Sequence, residues 1–232
     1  MDEDWRNEER RVLYGRRQGH KLKGRQADLM TDLLPSVQVD LASEACAAPQ
    51  SMFPVLVDEV WVEIGFGGGE HLAAQAAINP KTGIIGAEPF INGIAKLLTE
   101  IDEHSLSNVR IHPDDARKLL DVLGSETISR AFLLYPDPWP KKRHNKRRFV
   151  AQDNLTRLHR VLRPGGIFQF ASDIPEYVRW TLFEVAAHGG FEWQAVKPDD
   201  WRQPPKSWPG TRYEAKAKRE GRVPAYLTFR RI

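Results

Sequence analysis

Residues 60–69 read Val60-Trp61-Val62-Glu63-Ile64-Gly65-Phe66-Gly67-Gly68-Gly69. The first five form a short apolar run interrupted by one acid, which is the length and character of a buried strand. The glycines that follow permit a tight turn and let a ligand approach the backbone at the entry to a helix, which runs to about residue 78. A strand, a glycine turn and a helix in that order open a βα unit. The spacing is GxGxG, not the GxGxxG of dinucleotide-binding turns, and no Gly-Lys-Ser/Thr follows, so P-loop chemistry is set aside. Taken by itself the turn also suits a βα connection that holds no ligand.

Working outward, the same alternation continues. Strands are expected over 83–87, 109–112, 130–135 and 167–171, with closing strands over 191–196 and 226–230. Helices are expected over 90–101, between the third and fourth strands, over 149–162 ahead of the break Arg163-Pro164-Gly165-Gly166, and over 176–188. This pattern predicts an α/β fold: a mostly parallel, doubly wound sheet of Rossmann-like type with an antiparallel C-terminal strand. Pro35 and Pro49 interrupt helical continuity upstream. Residues 1–50 therefore read as a basic N-terminal arm and 51–232 as the domain.

The chain of 232 residues suffices for one α/β domain with additions. Its apolar runs, such as 131–135, are strand-sized and far short of a membrane span. The acidic opening Met1-Asp2-Glu3-Asp4-Trp5-Arg6 carries no secretory pattern, and the single cysteine, Cys46, agrees with a reducing cytoplasm. The seven histidines are scattered, so no metal is expected. The net charge of +3 conceals an asymmetry: +3 over 1–25, −11 over 26–140, +5 over 141–196 and +6 over 197–232. Such blocks suit solvated faces, and equally a basic rim around an acidic domain that meets a polyanion.

Three acids fall at or beside the ends of successive strands. Glu63 ends the first strand, where a carboxylate can face the ammonium of an amino-acid ligand. Glu88, 23 residues beyond Gly65, ends the second, where an acid bonds ribose hydroxyls. Asp114-Asp115 follows the third and suits an adenine amino group. Each could be an ordinary surface acid. In series with Gly65 and Gly67 they lie along the edge where open α/β sheets bind ligands, and point to a class I S-adenosylmethionine-dependent methyltransferase.

Off the fourth strand runs Leu133-Leu134-Tyr135-Pro136-Asp137-Pro138-Trp139-Pro140-Lys141-Lys142-Arg143-His144-Asn145-Lys146-Arg147-Arg148. Its prolines stiffen the turn and hold Asp137 over the pocket. Six of the eight residues 141–148 are basic, which suits phosphate contacts beside a target base. An Asn/Asp-Pro-Pro-aromatic turn would suggest methylation of an exocyclic amino group, but this turn is one proline short and carries a basic tail. A small-molecule methyltransferase would have no use for that tail. A non-catalytic RNA-binding scaffold would have no reason to keep Glu63, Glu88 and Asp115 together.

From about Arg16 to the C-terminus the sequence resembles the tRNA (guanine-N7-)-methyltransferase family. The resemblance rests on Gly15-Arg16-Arg17-Gln18-Gly19, the Glu63-Ile64-Gly65-Phe66-Gly67 turn, the Tyr135 to Arg148 run, Ser172-Asp173, and Thr211-Arg212-Tyr213-Glu214. It implies transfer of the methyl of S-adenosylmethionine to N7 of a guanosine in tRNA, with variable-loop position 46 as the family target. It further implies Glu63, Glu88, Asp115 and Asp137 as cofactor ligands beside Gly65 and Gly67, with Asp137 catalytic. Lys141, Asp173, Thr211, Arg212, Tyr213 and Glu214 would contact the substrate. His20 stands where many relatives carry Arg. The partner expected is tRNA, with no DNA or membrane, for a cytoplasmic monomer or homodimer. Asp173 also suits an N-cap for the 176–188 helix, and Thr211 with Glu214 a capping box.

Overall fold

The computed structural model describes residues 14–206 and 208–232; the first thirteen residues of the expected arm lie outside the described residues. Seven strands form one sheet: β1 (Glu59–Ile64), β2 (Thr82–Ala87), β3 (Val109–His112), β4 (Ile128–Leu134), β5 (Leu162–Ser172), β6 (Phe191–Trp193) and β7 (Ala225–Arg231). Their order is β3-β2-β1-β4-β5-β7-β6. The first five strands pair in parallel, and β7 runs antiparallel between β5 and β6. The strand order reverses between β1 and β4, so their C-terminal ends open the crevice in which such sheets hold ligands.

Nine α-helices are described: α1 (Arg25–Asp32), α2 (Leu34–Val37), α3 (Glu70–Ile78), α4 (Ile91–His104), α5 (Ala116–Val122), α6 (Gln152–Val161), α7 (Pro175–His188), α8 (Asp199–Arg202) and α9 (Arg212–Arg219). The period of two along β1 divides the core. Val60, Val62 and Ile64 join the layer with Leu119, Leu155 and Tyr177 of α5, α6 and α7. Trp61 joins the opposite layer with Leu72 of α3 and Ile94, Leu97 and Leu98 of α4. Because both faces are covered, the central strands read as nearly continuous apolar runs. Among the described residues no helix is long and apolar enough to cross a membrane.

Upstream of β1 the chain lies against this body. Leu29, Leu34 and Val37 are buried in the α3–α4 layer. Val39 donates its backbone N–H to Ile111 O at 2.8 Å, alongside an isolated parallel bridge from Gln38 to Ile111. Residues 15–20 then cross the sheet edge at the start of α4. Gly19 N donates to Asn92 Oδ1 at 2.6 Å, Asn92 Nδ2 donates to His20 O at 2.8 Å, and Ile91 N donates to Arg17 O at 2.9 Å.

Two stretches differ from the sequence pattern. The expected break at 163–166 is absorbed into β5: Leu162 pairs with Ile128, the register then shifts, and pairing resumes at Ile167 with Arg130. Gly165, at φ 74°, supplies the backbone that the excursion needs. The strand expected over 191–196 ends at Trp193, although Gln194 N still donates to Thr228 O at 2.9 Å. Beyond it the N–H groups of Val196 and Lys197 both turn to Asp200 Oδ2 at 2.9 Å, which draws the chain toward α8.

Candidate cofactor and substrate site

A cavity of about 650 Å³ opens at the C-terminal ends of β1, β2 and β4, lined among others by Gly65, Gly67, Glu88, Asp115, Asp137 and Tyr213. Its floor is the glycine turn. Gly65, Gly67 and Gly69 hold φ of 68°, 59° and 82°, a left-handed run that only glycine adopts without strain. Gly93 lies opposite, inside α4. A Cβ there would stand 2.0 Å from Gly67 O, so α4 meets the turn backbone to backbone. A glycine within a helix is locally unfavourable by about 1 kcal/mol, and this close approach is the reason for it. Sequence reasoning overlooked Gly93; its only signal was a glycine two residues into an otherwise regular helix.

The three strand-end acids already have partners. Glu88 is buried and accepts from Gly67 N at 2.7 Å and Phe90 N at 2.9 Å, one bond on each oxygen. Burial pushes its carboxyl above the ordinary range, against those N–H donors and the more distant Arg212. Each oxygen keeps a further lone-pair direction for a ribose hydroxyl. Asp115 caps α5 by accepting from Arg117 N at 2.9 Å, and takes the Arg117 side chain at 2.5 to 3.0 Å. Arg117 itself lines the cavity. Glu63 is 3% exposed and does not line the cavity. It shares the face of Trp61, beneath α3, where its Oε2 meets His71 Nδ1 at 2.7 Å. The His71 ring packs on Phe132 and Trp208 with centroids 4.9 and 5.0 Å away. The period of two counted from Trp61 is the signal that could have placed Glu63 under α3.

Asp137 is of another kind. The chain leaves β4 through Tyr135 at φ 50° and ends the turn at Trp139 at φ 43°. Between them the Asp137 carboxyl is presented to the cavity with no hydrogen-bond partner among the described residues. Partial desolvation at the cavity wall pushes its pKa above the usual aspartate value, while the residue as a whole stays exposed. Arg148, the last residue of the basic octet, fixes this turn from behind. Its side chain is fully buried over Tyr177 and Trp180, 4.9 and 5.1 Å from their ring centroids. It donates to Pro138 O at 3.0 Å and pairs with Glu176. Arg147 lies between Tyr14 and Trp139, 4.4 and 4.9 Å from their centroids. The other four basic residues, Lys141, Lys142, Arg143 and Lys146, are exposed on or beside a 3-10 turn over Lys142–Arg147.

The C-terminal residues divide in the same way. Asp173 does not cap α7, whose N-cap is Ile174 without a side-chain bond. It is engaged instead by Arg222 Nε at 2.5 Å. Thr211 caps α9, its hydroxyl accepting from Glu214 N at 3.0 Å. Glu214 completes no capping box. Its buried carboxylate gathers Trp208 Nε1 at 2.5 Å, the Tyr226 hydroxyl at 2.9 Å, and Lys218. Desolvation would raise its pKa, but the three donors outweigh that and hold it below the usual value. Arg212 and Tyr213, in the first turn of α9, stand over Gly67. A Cβ on Gly67 would come within 3.2 Å of Tyr213 Cε2 and 3.5 Å of Arg212 Nη2. Lys141 stands apart from the cavity walls.

A cavity of this size suits a nucleoside-sized ligand. Its glycine floor and the free lone pairs of Glu88 fit S-adenosylmethionine.

A family model described as "Putative methyltransferase" matches residues 58–226. The chain is 55% identical to a tRNA (guanine-N(7)-)-methyltransferase of Agrobacterium fabrum, over 99% of each chain. It is 56% identical to the enzyme of that name from Ruegeria pomeroyi, over 96% of this chain and 95% of that one. Among solved structures, the 16S rRNA methyltransferase KamB superposes with a TM-score of 0.58 at 16% identity, covering 83% of this chain and 94% of that one. An antibiotic-related methyltransferase gives 0.56 at 18% identity, covering 86% and 98%. These two likenesses show the class I methyltransferase fold, whereas the sequence relatives, matched nearly end to end, show the family. The chain belongs to the tRNA (guanine-N7-)-methyltransferase family.

Proposed function

We propose that the chain methylates N7 of a guanosine in tRNA, at variable-loop position 46, with S-adenosylmethionine as methyl donor and Asp137 as the catalytic residue. The observation that supports the assignment of Asp137 is its carboxyl at the cavity wall, without a hydrogen-bond partner among the described residues, beside a glycine turn and a basic loop. S-adenosylmethionine, when bound, supplies a methyl group activated by the positive charge on its sulfur. Glu88 would hold the ribose, Gly65 and Gly67 would pass close to the amino-acid portion, and Asp115 would face the adenine. Glu63, buried against His71, would act on the amino-acid portion from beneath the turn.

Guanine N7 carries a lone pair and no proton, so no residue is asked to deprotonate it. The residues hold the base in line and offset the positive charge that the purine acquires. Asp137 would accept from the N1–H and amino edge of the guanine, with Asp173 beside it at the end of the adjacent strand. Asp173 would exchange Arg222 for the base as it does so. The exposed Lys141, Lys142, Arg143 and Lys146, with Arg16, Lys21 and Lys23 of the N-terminal segment and Lys216, Lys218 and Arg219 of α9, would contact phosphates. Thr211 and Glu214 fix α9 so that its first turn meets the substrate. A tRNA substrate agrees with a cytoplasmic enzyme.

The test is methyl transfer from labelled S-adenosylmethionine to unmodified tRNA, with the product nucleoside identified by mass spectrometry. N7-methylguanosine mapped to position 46 is the expected result. A methyl on another atom or position would overturn the target while leaving the fold and family intact.

A further inference from the structure

The geometry points to Arg212 as the anion partner of the cofactor's amino-acid carboxylate, a role on the methyl-donor side of the site in addition to any contact with RNA. The inference rests on the reading of the cavity as an S-adenosylmethionine site.

Three observations support it. First, the Arg212 guanidinium is held over the glycine turn, with Nη2 3.5 Å from the place a Gly67 Cβ would occupy. The absence of a side chain at Gly67 leaves open the space between guanidinium and turn. Second, the guanidinium is anchored but its bonding capacity is not used up. Nη2 donates to the Tyr213 hydroxyl at 3.1 Å, and the group lies 4.9 Å from the Tyr213 ring centroid. The nearest carboxylate, Glu70 Oε1, is 3.8 Å from Nε, beyond hydrogen-bond range, and Nε is buried without a partner. A guanidinium has five N–H donors in a planar fork, which matches a carboxylate two bonds at a time. Third, the anchoring is rigid. Thr211 caps α9, and the Glu214 carboxylate ties its first turn to Trp208 and Tyr226, so a fixed helix holds Arg212 over Gly67, beside Tyr213, which lines the cavity.

The acids around the turn have the opposite task. Glu63 lies beneath the turn and Glu88 beside it, so both suit the cationic and hydroxylated parts of a nucleoside amino acid. Neither can receive a carboxylate. Arg212, on the far side of Gly67, is the cation that would complete the set. It comes from the segment whose neighbours meet the substrate, so filling of the methyl-donor site and placement of α9 would be coupled through one side chain.

The experiment is calorimetric binding of three ligands to the full chain and to its Arg212→Gln and Arg212→Lys variants. The ligands are S-adenosylhomocysteine, its decarboxylated analogue, and 5′-methylthioadenosine, which lacks the amino-acid portion. Arg212→Gln is expected to bind S-adenosylhomocysteine at least about tenfold more weakly, as fits loss of a charge-assisted pair. The other two ligands should bind within about twofold of wild type, and Arg212→Lys should recover part of the loss. Unchanged S-adenosylhomocysteine affinity with a raised KM for tRNA would overturn the inference and leave Arg212 to the nucleic acid. Equal weakening of all three ligands would also overturn it, since Arg212 would then shape the pocket without reading the carboxylate. If the wild-type chain bound none of the three, the reading of the cavity itself would fall, and this inference with it.

Discussion

The two sides of the cavity hold their carboxylates in opposite ways. On the β1–β3 side, Glu88 and Asp115 line the cavity and Glu63 lies beneath the glycine turn; all three are buried and bonded within the protein, Glu63 to His71, Glu88 to Gly67 and Phe90, and Asp115 to Arg117. On the β4 side, Asp137 stands without a hydrogen-bond partner among the described residues, on a turn stiffened by prolines and held from behind by Arg148. The first arrangement builds a binding surface whose shape is set before the ligand arrives. On the proposed reading, the second keeps one partly desolvated carboxyl in reserve for a charge that develops only during reaction, which is where electrostatic preorganisation is most effective. The difference also separates what substitutions should do: the first side trades affinity, the second turnover.

The largest effect is expected at Asp137. Asp137→Asn should lower kcat by about 10²- to 10³-fold, the range seen for loss of one preorganised electrostatic group. S-adenosylhomocysteine affinity should change only a few-fold. The raised pKa fixes two signs. Activity that needs the carboxylate is lost as pH falls through a value above that of ordinary aspartate, so the acid limb of the pH–rate profile should move when Asp137 is replaced. Because folding raises this pKa, ionised Asp137 disfavours the folded state at neutral pH, and the Asn variant should melt no lower than wild type. A variant with full kcat would collapse the contrast between the two sides.

Arg148→Ala comes next. It removes a buried guanidinium that bonds Pro138 O, pairs with Glu176 and packs on two aromatic rings. A loss of about 2–3 kcal/mol is expected by denaturant titration, since a hydrogen-bonded buried charge is replaced by a void. Lys142→Ala, in the same octet but exposed, should leave stability unchanged and reduce the salt slope of tRNA binding by about 0.7 to 0.9. Equal behaviour of the two variants would show that the octet is not divided as described.

Glu88→Gln replaces one of the two accepting oxygens with an amide donor facing a backbone N–H. S-adenosylhomocysteine should bind about tenfold more weakly, with kcat at saturating cofactor little altered. A fall in kcat with unchanged affinity would transfer Glu88 to the reactive side of the comparison. The smallest effect is expected at Thr211→Ala, which removes one cap bond from α9 and should cost about 1 kcal/mol in stability. Thr211→Ser should restore it. Failure of Ser to restore it would mean that the threonine serves something besides the cap.

The sheet was legible because its strands are covered on both faces and therefore stand out as apolar runs between glycine or proline breaks. β3 coincides with the expected strand, and β1 and β2 each begin one residue earlier. Local turn chemistry exposed the glycine floor and the rigid Asp137 turn. Pairings between distant residues were not legible. Nothing near Asp173 announces Arg222, 49 positions on, and nothing in the octet separates Arg148 from the rest except the apolar Phe149 and Val150 beside it. Thr211 and Glu214 show the limit most clearly. Their spacing fits a capping box, and Thr211 does cap, but Glu214 takes up tertiary partners because Trp208 and Tyr226 enclose it.

The backbone of the Asp137 turn also bears on any attempt to make this enzyme heat-tolerant. Tyr135 and Trp139 hold the left-handed conformations on either side of Asp137. A non-glycine residue held there costs on the order of 1 kcal/mol or more. Glycine at either position would relieve that strain, while losing the packing of Tyr135 on the α3–α4 layer or of Trp139 against Arg147. A stability screen would reward it only where the relief outweighs that loss. Each such gain would come from slackening the segment that aims the carboxyl, so hits at these two sites should be counter-screened for turnover before they are combined with others.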